Sequence, residues 1–386
     1  MRGRDSRAGA TVTVCGRRER PRVALRCDAS LRIGTGHVMR CLTLADALRA
    51  QGAECLFLCR PHEGHLISLI GARGYPVTTL SAPGASGRRA LSDAAPPLPA
   101  HAEWLGRSWV EDAAETATAL GPQGTDWLIV DHYALNRSWE QALRPQVRRL
   151  MVIDDLADRA HDCDLLLDQN LGRRAADYAP HVPAAARLFI GPTHALLRPE
   201  FARARNISLA RRTQPALRHL LITLGGVDQD NVTGQILSVL ADCALPDLQS
   251  IEVILGAAAP WIAVVRQIAA QMPWPTTIRV GITDMAETMS RSDLAIGATG
   301  GTSWERCCLG LPTIQMVLAE NQIEAAQALE VAGAALTVDA GNLSDTLPKV
   351  LGALDPTRLT ALSRQAARIT DGSGAQRITR EIVELS

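Results

Sequence analysis

The sequence predicts an α/β protein of two domains, each a parallel sheet covered by helices on both faces. Three observations carry this expectation. Short apolar runs alternate with helix-patterned stretches, the alternation breaks and restarts near the middle of the chain, and each half opens with a strand followed by a glycine turn. In the first half the strands are expected at 23–26, 55–58, 77–80, 127–130, 150–153, 165–167 and 188–190. The stretch 81–100 is rich in Ala, Pro, Gly and Ser and reads as a long exposed loop. Beyond residue 201 the pattern turns polar and arginine-rich, which places a linker at 206–216. The second half has expected strands at 219–223, 251–255, 277–280, 293–296 and 312–315, and expected helices at 231–242, 260–271, 284–290, 302–309 and 322–331. The tail, 343–385, reads as mostly helical. The expected organisation is a disordered leader (1–20), a Rossmann-like domain (21–205), the linker, a second Rossmann-like domain (217–370) and a C-terminal helix (371–386). Two such domains facing one cleft suit a ligand with two chemically distinct ends.

Bulk properties narrow the function. At 386 residues the chain exceeds what one small core supports, and with 47% apolar residues each of two domains can bury its own. Formal net charge is +0 and no basic stripe appears, so nucleic acid is not an expected partner. Phosphate must then be held by local amides and single side chains. The nine cysteines show neither zinc-ligand spacing nor a redox C-x-x-C pair, and most lie in apolar runs. That pattern fits free thiols in a reducing cytoplasm. No run approaches about 20 consecutive apolar residues, so no membrane insertion is expected. The leader carries several arginines and lacks the apolar stretch of a secretory signal.

The most informative segment is Ile33-Gly34-Thr35-Gly36-His37-Val38-Met39-Arg40. It stands between a strand ending in Arg26, Cys27 and Asp28 and a helix-patterned run from Leu42 to Ala50. This order puts the His37 imidazole at the carboxyl edge of a strand and at a helix start. Open α/β sheets bind ligands at that edge, and helix-start amides favour anions. Gly34 and Gly36 free the backbone for close approach. A base beside an anion site points to chemistry next to a phosphate, and a histidine that merely ends a helix is the competing reading.

The second half adds three features. Gly225-Gly226 after the apolar run 220–224 is either a phosphate cradle or a plain tight turn. Gly300, Gly301 and Thr302 open a predicted helix whose amides suit a diphosphate. Glu305 follows within a turn or so, as a carboxylate for both ribose hydroxyls or as a partner of the helix dipole. Asn321 and Gln322 stand at a strand-to-helix junction, where amides suit sugar hydroxyls and Asn equally serves as a helix cap. In the first half, Asp131-His132-Tyr133 ends an apolar strand, near where His37 is expected. Asp154-Asp155 is a pair that invites a metal, but Asp158 and Arg159 supply charge partners and no His or Glu at ligand spacing accompanies it. No metal is expected there.

Together these segments resemble the UDP-2,4-diacetamido-2,4,6-trideoxy-β-L-altropyranose hydrolases of pseudaminic acid synthesis. That family is akin to the spore-coat polysaccharide proteins and, more remotely, to the glycosyltransferase that makes lipid II. The resemblance rests on Arg26-Cys27-Asp28-Ala29-Ser30 with the glycine turn, Asp131-His132-Tyr133, and Ile153-Asp154-Asp155-Leu156-Ala157-Asp158-Arg159. It continues in Cys163-Asp164-Leu165-Leu166-Leu167-Asp168-Gln169-Asn170, Ala195-Leu196-Leu197-Arg198-Pro199-Glu200-Phe201 and Gly225-Gly226-Val227-Asp228. Trp304-Glu305, Cys308-Leu309-Gly310-Leu311-Pro312 and Glu320-Asn321-Gln322 complete it, with coverage from about residue 22 to about 370.

The resemblance implies a GT-B fold: two Rossmann-like domains with the ligand between them. It implies that His37 is the base on water and that Tyr133 shapes the sugar site, with Asp28, Gly34, Gly36 and Arg40 around the substrate. Gly225, Gly226, Gly300, Gly301, Thr302 and Glu305 would hold UDP, with Asn321 and Gln322 toward the sugar. The expected enzyme is a cytoplasmic monomer whose partner is a UDP-sugar, with no cofactor and no metal. Water would attack the anomeric carbon opposite UDP, giving the free sugar with inversion. Three rivals stand beside this: a GT-B glycosyltransferase with a hydroxyl acceptor, a non-catalytic nucleotide-sugar binding module, and a metal-dependent epimerase-hydrolase of the sialic acid type.

Overall fold

The computed structural model describes residues 20–84 and 99–386. Nearly all of the expected leader, and most of the expected loop at 81–100, lie outside the described residues. The first domain holds β1 (Arg22–Cys27), β2 (Glu54–Cys59), β3 (Val77–Thr79), β4 (Thr125–Asp131), β5 (Val147–Ile153), β6 (Leu165–Asp168) and β7 (Arg187–Ile190). Its helices are α1 (Gly36–Ala50), α2 (Ile67–Ala72), α3 (Trp109–Leu120), α4 (Arg137–Leu143), α5 (Ala175–Tyr178) and α6 (Pro199–Arg211). The strands form one parallel sheet in the order β3-β2-β1-β4-β5-β6-β7. Successive residues of a strand point to opposite faces. Leu25, Trp127, Ile129 and Met151 therefore join the core under α1, while Ala24, Leu128, Val130 and Leu150 pack with Ala113 and Trp139 on the other face. With both faces covered, the strands read as unbroken apolar runs.

The second domain repeats the plan with β8 (His219–Thr223), β9 (Ser250–Leu255), β10 (Thr276–Val280), β11 (Leu294–Ala298), β12 (Thr313–Met316) and β13 (Leu336–Val338). Its sheet order is β10-β9-β8-β11-β12-β13, all parallel. The helices are α7 (Val232–Ala241), α8 (Ile262–Ala269), α9 (Met285–Arg291), α10 (Gly301–Cys308), α11 (Ile323–Val331), α12 (Leu343–Gly352), α13 (Pro356–Ile369) and α14 (Gly374–Leu385). Strand order reverses between β1 and β4 and again between β8 and β11. A crevice opens at the carboxyl ends of the strands at each such switch point, and these are the ends that carry His37, Asp131, Gly225 and Gly300.

Two elements differ from expectation. Residues 206–211 of the expected linker are the last turns of α6. Pro199 starts that helix, Phe201 is buried on the second domain's core, and Arg205 and Arg212 donate to backbone carbonyls there. Arginines that look like linker polarity are helix docking groups. The edge strand β13 is three residues long, too short for an alternation to register.

The chain ends by crossing back. Ala375, Ile378 and Ile382 of α14 join the first domain's core, Trp127 Nε1 donates to Ser386 Oγ at 3.0 Å, and Arg149 Nε donates to the Leu385 carbonyl at 2.8 Å. Ile378→Ala is expected to cost about 2–5 kcal/mol, because the isoleucine is wholly buried at this junction. A urea titration that left the midpoint unchanged would contradict that docking.

Candidate active site between the domains

The site starts from the turn after β1. Gly34 takes φ +79°, a conformation that favours glycine, and its amide donates to the Ser30 carbonyl at 2.8 Å. Ser30 Oγ accepts from the Arg32 and Ile33 amides at 3.1 and 2.9 Å, which fixes the turn. Helix α1 then begins at Gly36 and carries His37 and Arg40 on one face, three residues apart. Both reach Asp131, the last residue of β4. His37 Nδ1 lies 2.5 Å from Asp131 Oδ1, and Arg40 donates Nε and Nη2 to the two Asp131 oxygens at 2.6 Å each. Arg40 Nη1 continues to Asp155 at 2.8 Å.

Charge decides the tautomer. Burial alone would raise the Asp131 pKa, but Arg40 and then His37 outweigh it and hold the carboxyl well below the usual carboxylate range. An ionised Asp131 accepts, so Nδ1 donates to it and Nε2 is the ring nitrogen turned away from the carboxylate. The His37 side chain is buried, with 8% of it exposed. This is the arrangement of an oriented general base.

Tyr133 packs edge-on against His37, with ring centroids 4.6 Å apart, and donates its hydroxyl to Asp155 at 2.6 Å. Burial first, then Asp155, pushes its pKa well above the ordinary phenol value. Tyr133 thus stands beside the imidazole with its proton already committed. Asn170 Nδ2 also donates to Asp155, at 3.0 Å. A further wall was not anticipated from the sequence: His101 and Trp104 stack with Tyr133, at centroid distances of 5.5 and 5.7 Å. Burial lowers the His101 pKa, and Glu320 of the second domain is among the charges that act on it. These rings form an aromatic face beside the His37 imidazole.

Two residues expected around the substrate turn to other partners. Asp28 is enclosed, pairing with Arg26 at 2.8 Å and accepting from the Arg60 amide at 2.7 Å. Arg40 spends its guanidinium on Asp131 and Asp155, so it fixes the carboxylate that holds His37. Asp154 and Asp155 of the apparent metal pair are likewise engaged. Arg159 lies 2.8 Å from Asp154, and Tyr178 donates to it at 2.9 Å. Among the described residues no group of three or more His, Cys, Asp or Glu side chains is placed to hold a metal ion.

The opposite wall comes from the second domain. Gly225 takes φ +94°, and a side chain at Gly226 would come within 3.2 Å of the Thr35 hydroxyl. The two glycine turns therefore face each other across a narrow gap. Gly300 caps α10, its amide donating to Ser303 Oγ at 3.2 Å, and Gly301 and Thr302 form the helix start. Glu305 lies 3.6 Å from Arg198 Nη2, and burial pushes its carboxyl up to about 7. Asn321 is exposed just ahead of α11, whereas Gln322 Oε1 accepts from the Leu318 amide at 2.9 Å and supports its own loop.

Solved structures share this two-domain plan along nearly its whole length. MurG of Acinetobacter baumannii superposes with a TM-score of 0.68 at 17% identity, covering 94% of this chain and 99% of that one. The fold is GT-B. The kitacinnamycin glycosyltransferase superposes with a TM-score of 0.61 at 15% identity, over 95% and 98% of the two chains. Residues 220–382 match the glycosyltransferase family 28 C-terminal domain. By sequence the chain is 28% identical over 219 residues to the UDP-2,4-diacetamido-2,4,6-trideoxy-β-L-altropyranose hydrolase of Campylobacter jejuni, covering 57% of this chain and 65% of that protein. It is 29% identical over 213 residues to the spore coat polysaccharide biosynthesis protein SpsG of Bacillus subtilis, covering 53% and 60%. The alignments thus span less than two thirds of the length of these relatives.

Proposed function

We propose that this chain hydrolyses a UDP-linked, N-acylated deoxysugar at the anomeric carbon. The substrate class is a UDP-2,4-diacetamido-2,4,6-trideoxyhexose, as in nonulosonic (pseudaminic) acid synthesis. The observation that carries the reading is the His37–Asp131 pair at one switch point, facing the glycine turn of the other. A water oxygen attacks C1 while its proton passes to His37 Nε2. The C1–O bond breaks, and its electrons leave with UDP. UDP is a good leaving group, so no strong acid is needed. Helix-start amides at Gly300–Thr302, with the backbone of the Gly225–Gly226 turn opposite, stabilise the growing diphosphate charge. Attack opposite UDP gives inversion. The hydrolase similarity from Campylobacter jejuni supports the choice of sugar. A cytoplasmic monomer without metal or cofactor is part of the same proposal. Among the described residues no helix is long and apolar enough to cross a membrane.

The match of 220–382 to a glycosyltransferase domain favours a second reading, transfer of the sugar to a hydroxyl acceptor. UDP release without any acceptor separates the two: the hydrolase turns over, and a transferase stays idle until an alcohol is supplied.

Glu305 gives a pH prediction. If it accepts the ribose hydroxyls, the bound form needs an ionised carboxylate, while the free carboxyl titrates near 7. Binding must then expel a proton at low pH. Affinity for uridine should rise with pH up to about 7 and then level off, by about tenfold per unit on the acid side. Glu305→Gln should bind more weakly and lose this slope. A wild-type affinity flat from pH 5 to 8 would remove Glu305 from the ribose site.

A further inference from the structure

The enclosed arginines of this chain differ in what neutralises them. Arg26 and Arg60 share Asp112, and Arg159 pairs with Asp154. Arg212 instead donates to the carbonyls of Met289, Ser292 and Leu309, at the carboxyl ends of α9 and α10. Helix dipoles put negative potential there. Among the described residues Arg306 has neither a carboxylate in ion-pair contact nor the carboxyl end of a helix. It is 1% exposed. Its Nη1 donates to Thr302 Oγ1 at 3.2 Å, and its Nη2 donates to Ser303 Oγ at 3.0 Å and to the Ala298 carbonyl at 2.9 Å. Its Nε is buried without a partner.

This placement is unfavourable twice over. The guanidinium is out of water, and it lies against the first turn of α10, the positive end of that helix. Burial lowers its pKa only to about 10, so it remains charged near neutrality. The fold nevertheless makes room for it. A Cβ at position 297 would fall 2.6 Å from Arg306 Nη1, so glycine in β11 admits the group beneath the turn. Both hydroxyl oxygens above it accept from the guanidinium. Accepting from Arg306 leaves the Thr302 hydroxyl its own proton to donate.

We propose that Arg306 is the buried counter-charge of a diphosphate held at the start of α10, acting as a positioning residue through the Thr302 and Ser303 hydroxyls. The ligand dianion supplies the negative charge that the protein withholds. The nucleotide identity of that anion rests on the function proposed above, so the test reads binding and not turnover. Calorimetry with UDP, UMP, uridine and inorganic pyrophosphate is run on the wild type, Arg306→Met and Arg306→Lys, together with thermal melts of the ligand-free proteins. Arg306→Met is expected to melt no lower than the wild type, since it loses an unpaired buried charge. It should bind UDP at least about tenfold more weakly, UMP less affected, and uridine unchanged. Arg306→Lys should recover most of the UDP affinity. If Arg306→Met melts lower or fails to fold, and Arg306→Lys weakens uridine and UDP by one common factor, the arginine only props the turn and the proposal is overturned. Unchanged UDP affinity in Arg306→Met overturns it as well. Pyrophosphate bound by the wild type and lost in Arg306→Met, with no binding of uridine or UDP by either, would uphold the counter-charge and defeat the nucleotide reading alone.

Discussion

His37→Ala is expected to lower turnover at least about 100-fold while UDP affinity stays near the wild-type value. The reason is local. The imidazole touches Asp131, Arg40 and Tyr133, all in the first domain, whereas the proposed UDP contacts come from the second. Asp131→Asn should lose a similar factor by another route. An amide can offer its NH2 to Nδ1, which moves the imidazole proton to Nε2 and removes the lone pair that water needs. That variant also strips Arg40 of an anionic partner, so its stability falls, while His37→Ala stays close to the wild type. Steady-state rates with urea titrations on both variants separate the two effects. Near-normal turnover by His37→Ala would dismiss the imidazole as the base.

The second large effect is on stability, at Asp112. This carboxylate accepts from Arg26 at 2.7 and 3.2 Å, from Arg60 at 2.6 Å and from Trp139 Nε1 at 3.0 Å. All of these groups are buried behind the turn that carries His37. Among the described residues, Asp112→Ala leaves Arg26 with Asp28 and Arg60 with Glu115 as sole carboxylate partners, strips Trp139 of its acceptor, and is expected to cost about 3–5 kcal/mol. The pH dependence follows from the same group. Burial would raise its pKa, but Arg26 and Arg60 outweigh burial and hold the carboxyl below the usual carboxylate range. The folded carboxyl thus binds its proton more weakly than the unfolded one. Its contribution is fully present above the unfolded value near 4 and is lost as pH falls through the folded one. Asp28 and Asp131 shift in the same direction. Urea midpoints should therefore drop steeply below pH 4 in the wild type and less steeply in Asp112→Ala. Equal slopes in the two proteins would show that Asp112 is not ionised by its arginines.

Much of this architecture is legible in the sequence because the sheets are covered on both sides. Strands such as β4 and β8 become unbroken apolar runs, and glycine turns mark where each meets its helix. His37 is legible for the same reason, since it directly follows such a turn. The partnership of His37 is not. Asp131 lies 94 positions away, and only the pairing of β1 with β4 brings it to the imidazole. Arg40 beside a glycine turn looks like a phosphate ligand, but its place one turn beyond His37 aims it at the same carboxylate. Asp28 directly follows β1, yet the two parallel neighbours of that strand, β2 and β4, carry Arg60 and His132 over it. Trp104 follows a stretch with no periodicity to place it. Arg306 reads as an ordinary helix position, and its meaning appears only from the missing carboxylate and from the glycine opposite. Sequence pattern reports what is buried, while partners across a sheet depend on strand order.

The most direct test of the central claim is the fate of solvent oxygen. UDP-2,4-diacetamido-2,4,6-trideoxyhexose is incubated with the protein in ¹⁸O-labelled water, with no acceptor, and the products are followed by proton NMR and mass spectrometry. Water activated by His37 at the anomeric carbon places the label on the sugar, leaves UDP unlabelled and first yields the inverted anomer. Label in the nucleotide phosphate, or no UDP release until an alcohol is added, would contradict the account.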